Sequence, residues 1–224
     1  DSLVAAMGTD VSKGKAVAKV SKARPEAPIV IRAIPQTGGG AAELVARKGE
    51  IIGLAGLSGH GQTRMLLQLF SKSHAQVDGP VAFIAGDRQS DGIFNLWSIA
   101  SNITVRSLRA MLKRGFIAGD GEAKLAEDWK ARMAIRTPDV NNNILTLSGG
   151  NQQKALFARA LGSEAQIMLM DDPMRGVDIG TKLEVYQMIA QEAKAGRTFI
   201  WYTTEIDELH HCGRAYVFRN GEIS

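Results

Sequence analysis

The sequence contains a single cysteine, Cys212, and therefore cannot form a disulfide bond within the chain. A lone thiol suits a reducing compartment such as the cytosol. His210 and His211 lie next to Cys212, but residues 207–212 are typical of an ordinary helix end rather than of a nucleophile with its base. We therefore expect neither disulfide stabilisation nor thiol catalysis.

The sequence also lacks long apolar runs and, after residue 48, any excess of one charge. A membrane-spanning helix needs roughly 20 predominantly apolar residues, and no run approaches that length. The formal net charge is +4, and residues 1–48 account for all of it, with eight Lys and Arg against four Asp and Glu. Nucleic-acid binding depends on clustered positive charge. We therefore expect a soluble chain without a nucleic-acid partner, whose contact with any membrane depends on other subunits.

The chain divides into a short leading segment and one domain. Residues 1–28 lack hydrophobic periodicity, are rich in Lys, Ala, Gly and Pro, and begin with Asp rather than Met, so we interpret them as an inter-domain linker that continues from an upstream part. Residues 29–224 can bury one substantial core. Their strands and helices alternate, which predicts an α/β fold with a mainly parallel sheet and helices on both faces.

Two departures from this alternation predict smaller subdomains. Ile29–Ile34 and Ala41–Ala46 flank a flexible turn and resemble a pair of edge strands, which predicts a small antiparallel subdomain. Residues 98–135 show mostly helical periodicity, and we place them in a helical subdomain covering about residues 89–146.

The first chemical motif is a glycine-rich loop between a predicted strand and a predicted helix. It has the spacing of a P-loop, G-x-x-x-x-G-K-[ST], with Gln62 in place of the lysine. Such a loop lets backbone N–H groups surround phosphate oxygens, and Thr63 could bind Mg²⁺. A simple turn joining strand and helix is the alternative. The candidate nucleotide-binding residues are Gly56, Ser58, Gly59, His60, Gly61, Gln62 and Thr63.

The second motif, Leu147–Lys154, places a hydroxyl and two glycines at the start of a predicted helix. A helix N-terminus with free N–H groups attracts phosphate. Simple helix capping would explain Ser148 but not Gly149 and Gly150.

The third motif is an apolar strand that ends in two carboxylates, Asp171 and Asp172. Ligands of parallel sheets bind at the carboxyl ends of the strands. One carboxylate can therefore serve a metal ion while the other orients or deprotonates a water molecule. Turn formation is the alternative role for such a pair.

The order of these motifs, followed by Arg175–Asp178, resembles the ATP-binding domains of ABC transporters. The string Leu-Ser-Gly-Gly-Asn-Gln-Gln-Lys and the string Arg-Gly-Val-Asp are similar to those of tandem-domain ATPases of ribose, galactose and xylose importers. Asp87 and Arg88 also resemble the segment that these proteins carry where others have a glutamine loop.

This resemblance implies a P-loop NTPase fold and a site shared by two domains. The cofactors would be ATP and Mg²⁺, with ATP held between the P-loop of one domain and the Ser-Gly-Gly helix of the other. The implied partners are a second ABC ATPase domain, upstream in the same polypeptide, and integral membrane permease subunits that contact the helical subdomain. The protein would lie peripherally on the cytoplasmic side of the inner or plasma membrane.

The resemblance also implies a role for each matching residue. Thr63 and Asp171 would hold Mg²⁺. Asp172 would occupy the position of the general base, and Thr204 the position of the switch histidine. Asp178 would lie in the loop that crosses to the partner domain. The residues implied to contact the partner's ATP are Ser148, Gly149, Gly150 and Gln153.

Several departures from the family pattern affect the chain's own P-loop. Gln62 removes a positive charge, and losing one such contact commonly costs on the order of a hundredfold to a thousandfold in rate. Asp172 is one methylene shorter than the usual Glu, which displaces a bound water by about 1 Å and costs roughly a hundredfold. No aromatic residue precedes Phe70 to stack on adenine. We therefore expect little or no ATPase activity from the isolated chain.

The leading interpretation is the second ATP-binding domain of a carbohydrate-type ABC importer, with a degenerate P-loop of its own and an intact Ser-Gly-Gly motif that completes the partner's site. It would couple ATP binding and hydrolysis to solute uptake. Two alternatives remain open. One is a regulatory nucleotide-binding or dimerisation module without hydrolysis, and the other is a soluble ABC ATPase that is not linked to transport.

Overall fold

The structure, a computed structural model, describes residues 25–37, 39–113, 116–117 and 119–224. The predicted linker, residues 1–28, lies outside the described residues except for its last four positions.

A six-stranded sheet forms the centre of the fold, in the order β11-β10-β3-β9-β8-β5. All neighbouring pairs are parallel except β10 and β11. This arrangement confirms the prediction of a mainly parallel sheet. The strands are β3 (Ile51–Ala55), β5 (Val81–Ile84), β8 (Ile167–Asp171), β9 (Thr198–Tyr202), β10 (Arg214–Arg219) and β11 (Glu222–Ile223).

A second sheet has three antiparallel strands: β1 (Ile29–Ala33), β2 (Leu44–Arg47) and β4 (Ala75–Val77), with β1 in the middle. The antiparallel edge pair is therefore confirmed, although β2 begins three residues later than predicted. Strand β4 was not predicted, because three residues are too few to show a two-residue hydrophobic period.

Helices cover both faces of the central sheet, as the sequence predicts. Three long helices are α1 (Gln62–Ser71), α5 (Gly149–Leu161) and α6 (Ile179–Lys194). Met168 and Met170 of β8 belong to one apolar core, which includes residues of α5 and α6. Ile167 and Leu169 belong to a second core, which includes residues of α1 and the antiparallel sheet. Alternate side chains of a strand face opposite sides, so one strand supplies both cores.

The segment between β5 and α5 is less uniformly helical than predicted. It contains a π-helical turn (Arg88–Gly92), α2 (Ile99–Thr104), α3 (Leu108–Met111) and α4 (Gly119–Arg132), with a two-stranded antiparallel pair, β6 (Leu112–Lys113) and β7 (Phe116–Ile117), between α3 and α4. Residues 98–135 are thus mostly helical, as predicted, although this strand pair interrupts the helices. No helix in the described part of the chain combines the length and apolar character needed to span a membrane.

Short 3-10 turns complete the described structure at Ile144–Thr146 and Ile206–His211. The latter explains why residues 207–212 show the sequence pattern of a helix end.

Candidate functional site

A cleft of about 930 Å³ lies at the carboxyl ends of the parallel strands. The loop after β3, the ends of β8 and β9, and Thr204 contribute to it, together with residues 87–89, 91 and 175–176. Since these parallel strands end at one edge of the sheet, the motifs meet although the chain separates them widely. The predicted site residues that line the cleft are Ser58, Gly59, Thr63, Asp171, Asp172 and Thr204.

The P-loop backbone has the curvature that a phosphate-binding loop requires. Gly56, Gly59 and Gly61 have φ angles of 129°, 83° and 109°, a region that favours glycine. Gly61 caps α1 without any side-chain hydrogen bond to the first N–H groups of the helix. Those N–H groups therefore remain available to an anionic ligand, as the sequence pattern predicts.

Gln62 faces the loop itself and is 1% exposed. Its Nε2 donates hydrogen bonds to the carbonyl oxygens of Ala55, at 3.3 Å, and Leu57, at 3.1 Å. The side chain thus braces the loop from within and contributes no charge. Gly61 and Gln62 line a neighbouring depression of about 470 Å³ rather than the main cleft.

His60 lies against the turn between β10 and β11. Its Nδ1 accepts a 3.3 Å hydrogen bond from the N–H of Asn220, and its carbonyl oxygen accepts one of 2.9 Å from the N–H of Gly221. Neither His60 nor Gly56 is among the residues that line the cleft or the neighbouring depression. We therefore interpret both residues as supports of the loop.

Thr63 and Asp171 meet in the cleft, where Thr63 Oγ1 donates a 2.9 Å hydrogen bond to Asp171 Oδ1. Burial raises the pKa of Asp171; the Thr63 hydrogen bond lowers it and the neighbouring charge of Asp172 raises it further. A bound cation would relieve this unfavourable charge. A hydroxyl and a carboxylate are the hard oxygen donors that suit Mg²⁺, which usually combines one or two protein ligands with phosphates and water. The described residues contain no cluster of three or more His, Cys, Asp or Glu that could hold a metal alone.

Asp172 is buried and held in one orientation by Thr204. Its Oδ2 accepts a 3.0 Å hydrogen bond from Thr204 Oγ1, and its Oδ1 accepts one of 3.3 Å from the N–H of Thr204. Its φ angle is 48°, and its own N–H donates to the carbonyl of Tyr202 at 2.8 Å. The two predicted catalytic residues therefore form one unit at the edge of the cleft.

Ser148 caps α5, and Gly150, two residues later, lies close to the start of α6. A Cβ atom on Gly150 would lie 2.7 Å from Thr181 Oγ1 and 3.0 Å from Asp178 Oδ2, so a larger residue there would require these side chains to move. Asp178 itself caps α6 by accepting a 3.0 Å hydrogen bond from the N–H of Thr181, and this bond lowers the pKa of Asp178. The helix starts that carry Ser148 and Asp178 are thus neighbours.

Gln153 differs in burial from Ser148, Gly149 and Gly150, the other predicted site residues of its motif. It is fully buried, and neither its amide nitrogen nor its oxygen has a hydrogen-bond partner among the described residues. Asn151, which is not among the predicted site residues, lies beside Ser148 instead. Its Nδ2 donates to Ser148 Oγ at 2.9 Å, and its Oδ1 accepts from the N–H of Arg136 at 3.0 Å. The sequence contains a signal for this contact, because a polar residue three positions after an N-cap often pairs with the capping residue.

Residues 87–92 connect the cleft to α5. Asp87 accepts hydrogen bonds from the N–H groups of Ser90 and Gln89, which lower the pKa of its carboxyl group. Gln89 Nε2 donates to Gln152 Oε1 at 3.1 Å. Asp87 and Arg88 carry a family resemblance in the sequence, but no sequence pattern predicts this link, which joins parts of the chain 63 positions apart.

A polar network behind Thr204 also escaped the sequence analysis. Lys182 Nζ donates to Glu205, at 2.6 Å, and to Glu208, at 3.1 Å. Glu208 accepts two further hydrogen bonds of 2.6 Å, from the hydroxyl groups of Tyr186 and Thr203. The network connects the segment after β9 to α6, and no local sequence pattern predicts it.

Comparison with known proteins identifies related sequences. Residues 41–175 match the family model described as ABC transporter. The ribose import ATP-binding protein RbsA 1 of Mesorhizobium japonicum is 34% identical over 80% of this chain and 39% of its own length. The arabinose import ATP-binding protein AraG 2 of Burkholderia cenocepacia is 33% identical over 91% of this chain and 44% of its own length. The chain thus spans about two fifths of the length of these relatives.

Solved structures share the fold at lower identity. A dimeric ATP-binding cassette in a post-hydrolysis state, bound to ADP and Pi, has a TM-score of 0.70 and 20% identity, covering 87% of this chain and 96% of that chain. A nucleotide-free ATP-binding cassette from an ABC transporter has a TM-score of 0.70 and 16% identity, covering 88% of this chain and 90% of that chain. At this identity the likeness concerns the fold.

Proposed function

The chain belongs to the ABC transporter family, and we propose that it is the second ATP-binding domain of a carbohydrate-type importer, coupling ATP binding and hydrolysis to solute uptake. Relatives named for ribose and arabinose import support this substrate class. Their lengths, of which this chain spans about two fifths, support a partner domain in the same polypeptide.

The placement of the Ser-Gly-Gly motif carries this proposal. Ser148 is exposed at the start of α5, yet Ser148, Gly149 and Gly150 are not among the described residues that line the chain's own cleft. A helix start with a hydroxyl and free N–H groups is suited to hold a phosphate. Since it does not line the cleft of its own domain, we assign it to the nucleotide of a second domain.

The chain's own cleft fits a nucleotide and Mg²⁺ but is poorly equipped for hydrolysis. Thr63 and Asp171 hold the metal, which neutralises charge on the phosphates when bound. Asp172 holds a water less favourably than a longer carboxylate, and Gln62 provides no charge. We therefore assign most of the hydrolysis to the site that Ser148 completes.

The remaining assignments follow from this arrangement. Residues 1–28 act as the inter-domain linker, and the helical subdomain of about residues 89–146 contacts integral membrane permease subunits. The domain lies peripherally on the cytoplasmic side of the inner or plasma membrane.

The test is to replace Ser148 in the polypeptide that carries both domains. We expect Ser148→Arg to abolish ATP hydrolysis, because the bulky side chain fills the space of the partner's phosphate, whereas the isolated chain has negligible activity from the start. Ser71→Arg, at the far end of α1, adds the same charge away from the motif and is expected to retain activity. Full activity of the Ser148→Arg protein would contradict the proposal.

A module without hydrolysis is the second candidate, favoured by the neutral Gln62 and the short Asp172. It predicts that the unmodified two-domain protein binds ATP without turnover. The same assay therefore separates the two functions.

A further inference from the structure

The cleft contains more acidic than basic side chains, which is unfavourable for a triphosphate. Mg²⁺ offsets part of this charge, but the P-loop supplies none, because Gln62 is neutral and bonded to loop carbonyls. A site that holds phosphate normally places a cationic side chain against it. The charged residues lining the cleft are Asp87, Asp91, Asp171, Asp172, Arg88 and Arg175.

Arg88, the first of the two cations, is directed towards α5. A Cβ atom on Gly149 would lie 2.7 Å from Nη2 and 3.3 Å from Cζ of Arg88, so the guanidinium group packs against the start of that helix. Arg88 therefore belongs as much to the neighbouring Ser-Gly-Gly motif as to the cleft.

Arg175, the second cation, extends from a firmly held turn. Its N–H donates to the carbonyl of Asp172 at 3.3 Å, and the N–H of Val177 donates to that of Met174 at 3.2 Å. Met174 and Val177 are buried, whereas Arg175 is exposed and Gly176, with a φ of 68°, completes the turn. Among the described residues, the Arg175 side chain has no hydrogen bond and no salt bridge.

We propose that Arg175 supplies the cationic contact to nucleotide phosphates that the P-loop of this chain lacks. The inference rests on the proposed function, since it takes the cleft with Ser58, Thr63 and Asp171 as a nucleotide site. A guanidinium group can bind two phosphate oxygens at once and stays charged at all physiological pH values. Arg175 lies in the loop after β8, outside the P-loop. It therefore provides a cationic contact to phosphate without restoring the positive charge that is missing at Gln62. The cleft therefore retains Mg²⁺-nucleotide while hydrolysing it slowly.

Titration of this chain with trinitrophenyl-ATP in the presence of Mg²⁺ tests the contact. We expect Arg175→Gln to weaken binding about tenfold, since a hydrogen bond to a charged group contributes on the order of that factor. Arg175→Lys is expected to lose less. Arg109→Gln removes an exposed arginine from α3, outside the cleft, and is expected to bind like the unmodified chain.

Restoring the lysine shows whether Arg175 replaces it. We expect Gln62→Lys to strengthen binding and to reduce the effect of Arg175→Gln to less than about threefold, because the two cations serve the same phosphates. Equal affinities of the unmodified and Arg175→Gln chains, an identical loss in both backgrounds, or no binding by the unmodified chain would overturn the inference. Each of these results leaves the Ser148→Arg assay of the two-domain protein unaffected, so failure here is distinct from failure of the proposed function.

Discussion

Thr63 and Asp171 are joined by a 2.9 Å hydrogen bond although 108 positions separate them in the chain. Thr63 belongs to the first turn of α1, and Asp171 is the last residue of β8. The bond brings the P-loop and the acidic strand together with the two oxygen donors expected for Mg²⁺.

Removing the Thr63 hydroxyl is expected to weaken the dependence of nucleotide binding on Mg²⁺. Thr63→Val keeps the shape of the side chain but cannot bind the metal. We expect the ratio of ATP affinities with and without Mg²⁺ to fall about tenfold, as for loss of one contact to a charged group. Calorimetry on this chain measures the ratio. Thr63→Ser keeps the hydroxyl and serves as control, and an unchanged ratio in Thr63→Val would exclude Thr63 as a ligand.

The pKa of Asp171, raised above its ordinary value of 3.8 mainly by burial, predicts a pH dependence of stability. A carboxyl group with a raised pKa favours the folded state when protonated, and this contribution is lost as the pH rises through the raised pKa. Without nucleotide and Mg²⁺, we expect Asp171→Asn to raise the melting temperature at pH 7 by on the order of 2 °C. The gain should shrink as the pH falls through the raised pKa towards 3.8.

Asp128→Asn on the exposed face of α4 is the matched control for Asp171→Asn, since it removes an equal charge that is not buried. The two variants separate the effect of burial from that of net charge. A gain in melting temperature that is the same for both, or that does not change with pH, would contradict the burial argument.

Glu208 is expected to be the most sensitive position of the network behind Thr204. It is 3% exposed and accepts from Lys182, Tyr186 and Thr203. Glu208→Ala leaves a nearly buried ammonium group with one carboxylate fewer, and breaking such a pair costs about 3 kcal/mol.

Urea unfolding measures the loss in Glu208→Ala directly. Tyr186→Phe removes one hydrogen bond and no charge, so its cost should be about 1 kcal/mol. If both variants lost the same free energy of unfolding, the charge of Glu208 would not be the cause.

Gly86 is expected to tolerate no side chain. A Cβ atom there would lie 2.4 Å from the carbonyl oxygen of Asp171, which is backbone and cannot move without displacing the end of β8. We expect Gly86→Ala to destabilise the chain by about 1–3 kcal/mol, as overpacking does, and to weaken Mg²⁺-dependent binding.

Gly121→Ala is the matched control for Gly86→Ala, because a Cβ atom on Gly121 meets nothing within 4 Å and the residue lies in α4. Alanine in a helix is expected to stabilise by roughly 0.5 kcal/mol. Thermal unfolding of both variants therefore gives shifts of opposite sign, and a neutral Gly86→Ala would show that the strand end is free to move.

Cys212 is expected to react slowly. Burial, with a smaller effect of Glu208, raises the pKa of its thiol from 9.0 to about 12. The thiolate is the reactive form, so iodoacetamide at pH 8 should modify the folded chain at least about a hundredfold more slowly than the urea-unfolded chain, as followed by mass spectrometry. Equal rates would mean that the thiol is accessible and ionised.

Local patterns predicted those parts of the molecule that depend on neighbouring residues. The alternation of strands and helices predicted the sheet, and Ser148 was expected to cap α5 because an N-cap is defined within one turn of helix. The P-loop and the two acids at the end of β8 were found by spacing. Because strands of one parallel sheet end at the same edge, their meeting in one cleft followed as well. The roles of the individual site residues stay predictions.

The sequence by itself determined the family, the class of fold and the types of functional group available at the site, because short stretches of the chain encode these properties. Only the tertiary structure decided that Gln153 is buried, that Arg88 packs on Gly149, and that Lys182 joins Glu205 to Glu208. These features link parts of the chain that are 23 to 61 positions apart or depend on burial. Side chains choose their partners by distance in space, and that distance is fixed only when the cores on both faces of the sheet have packed.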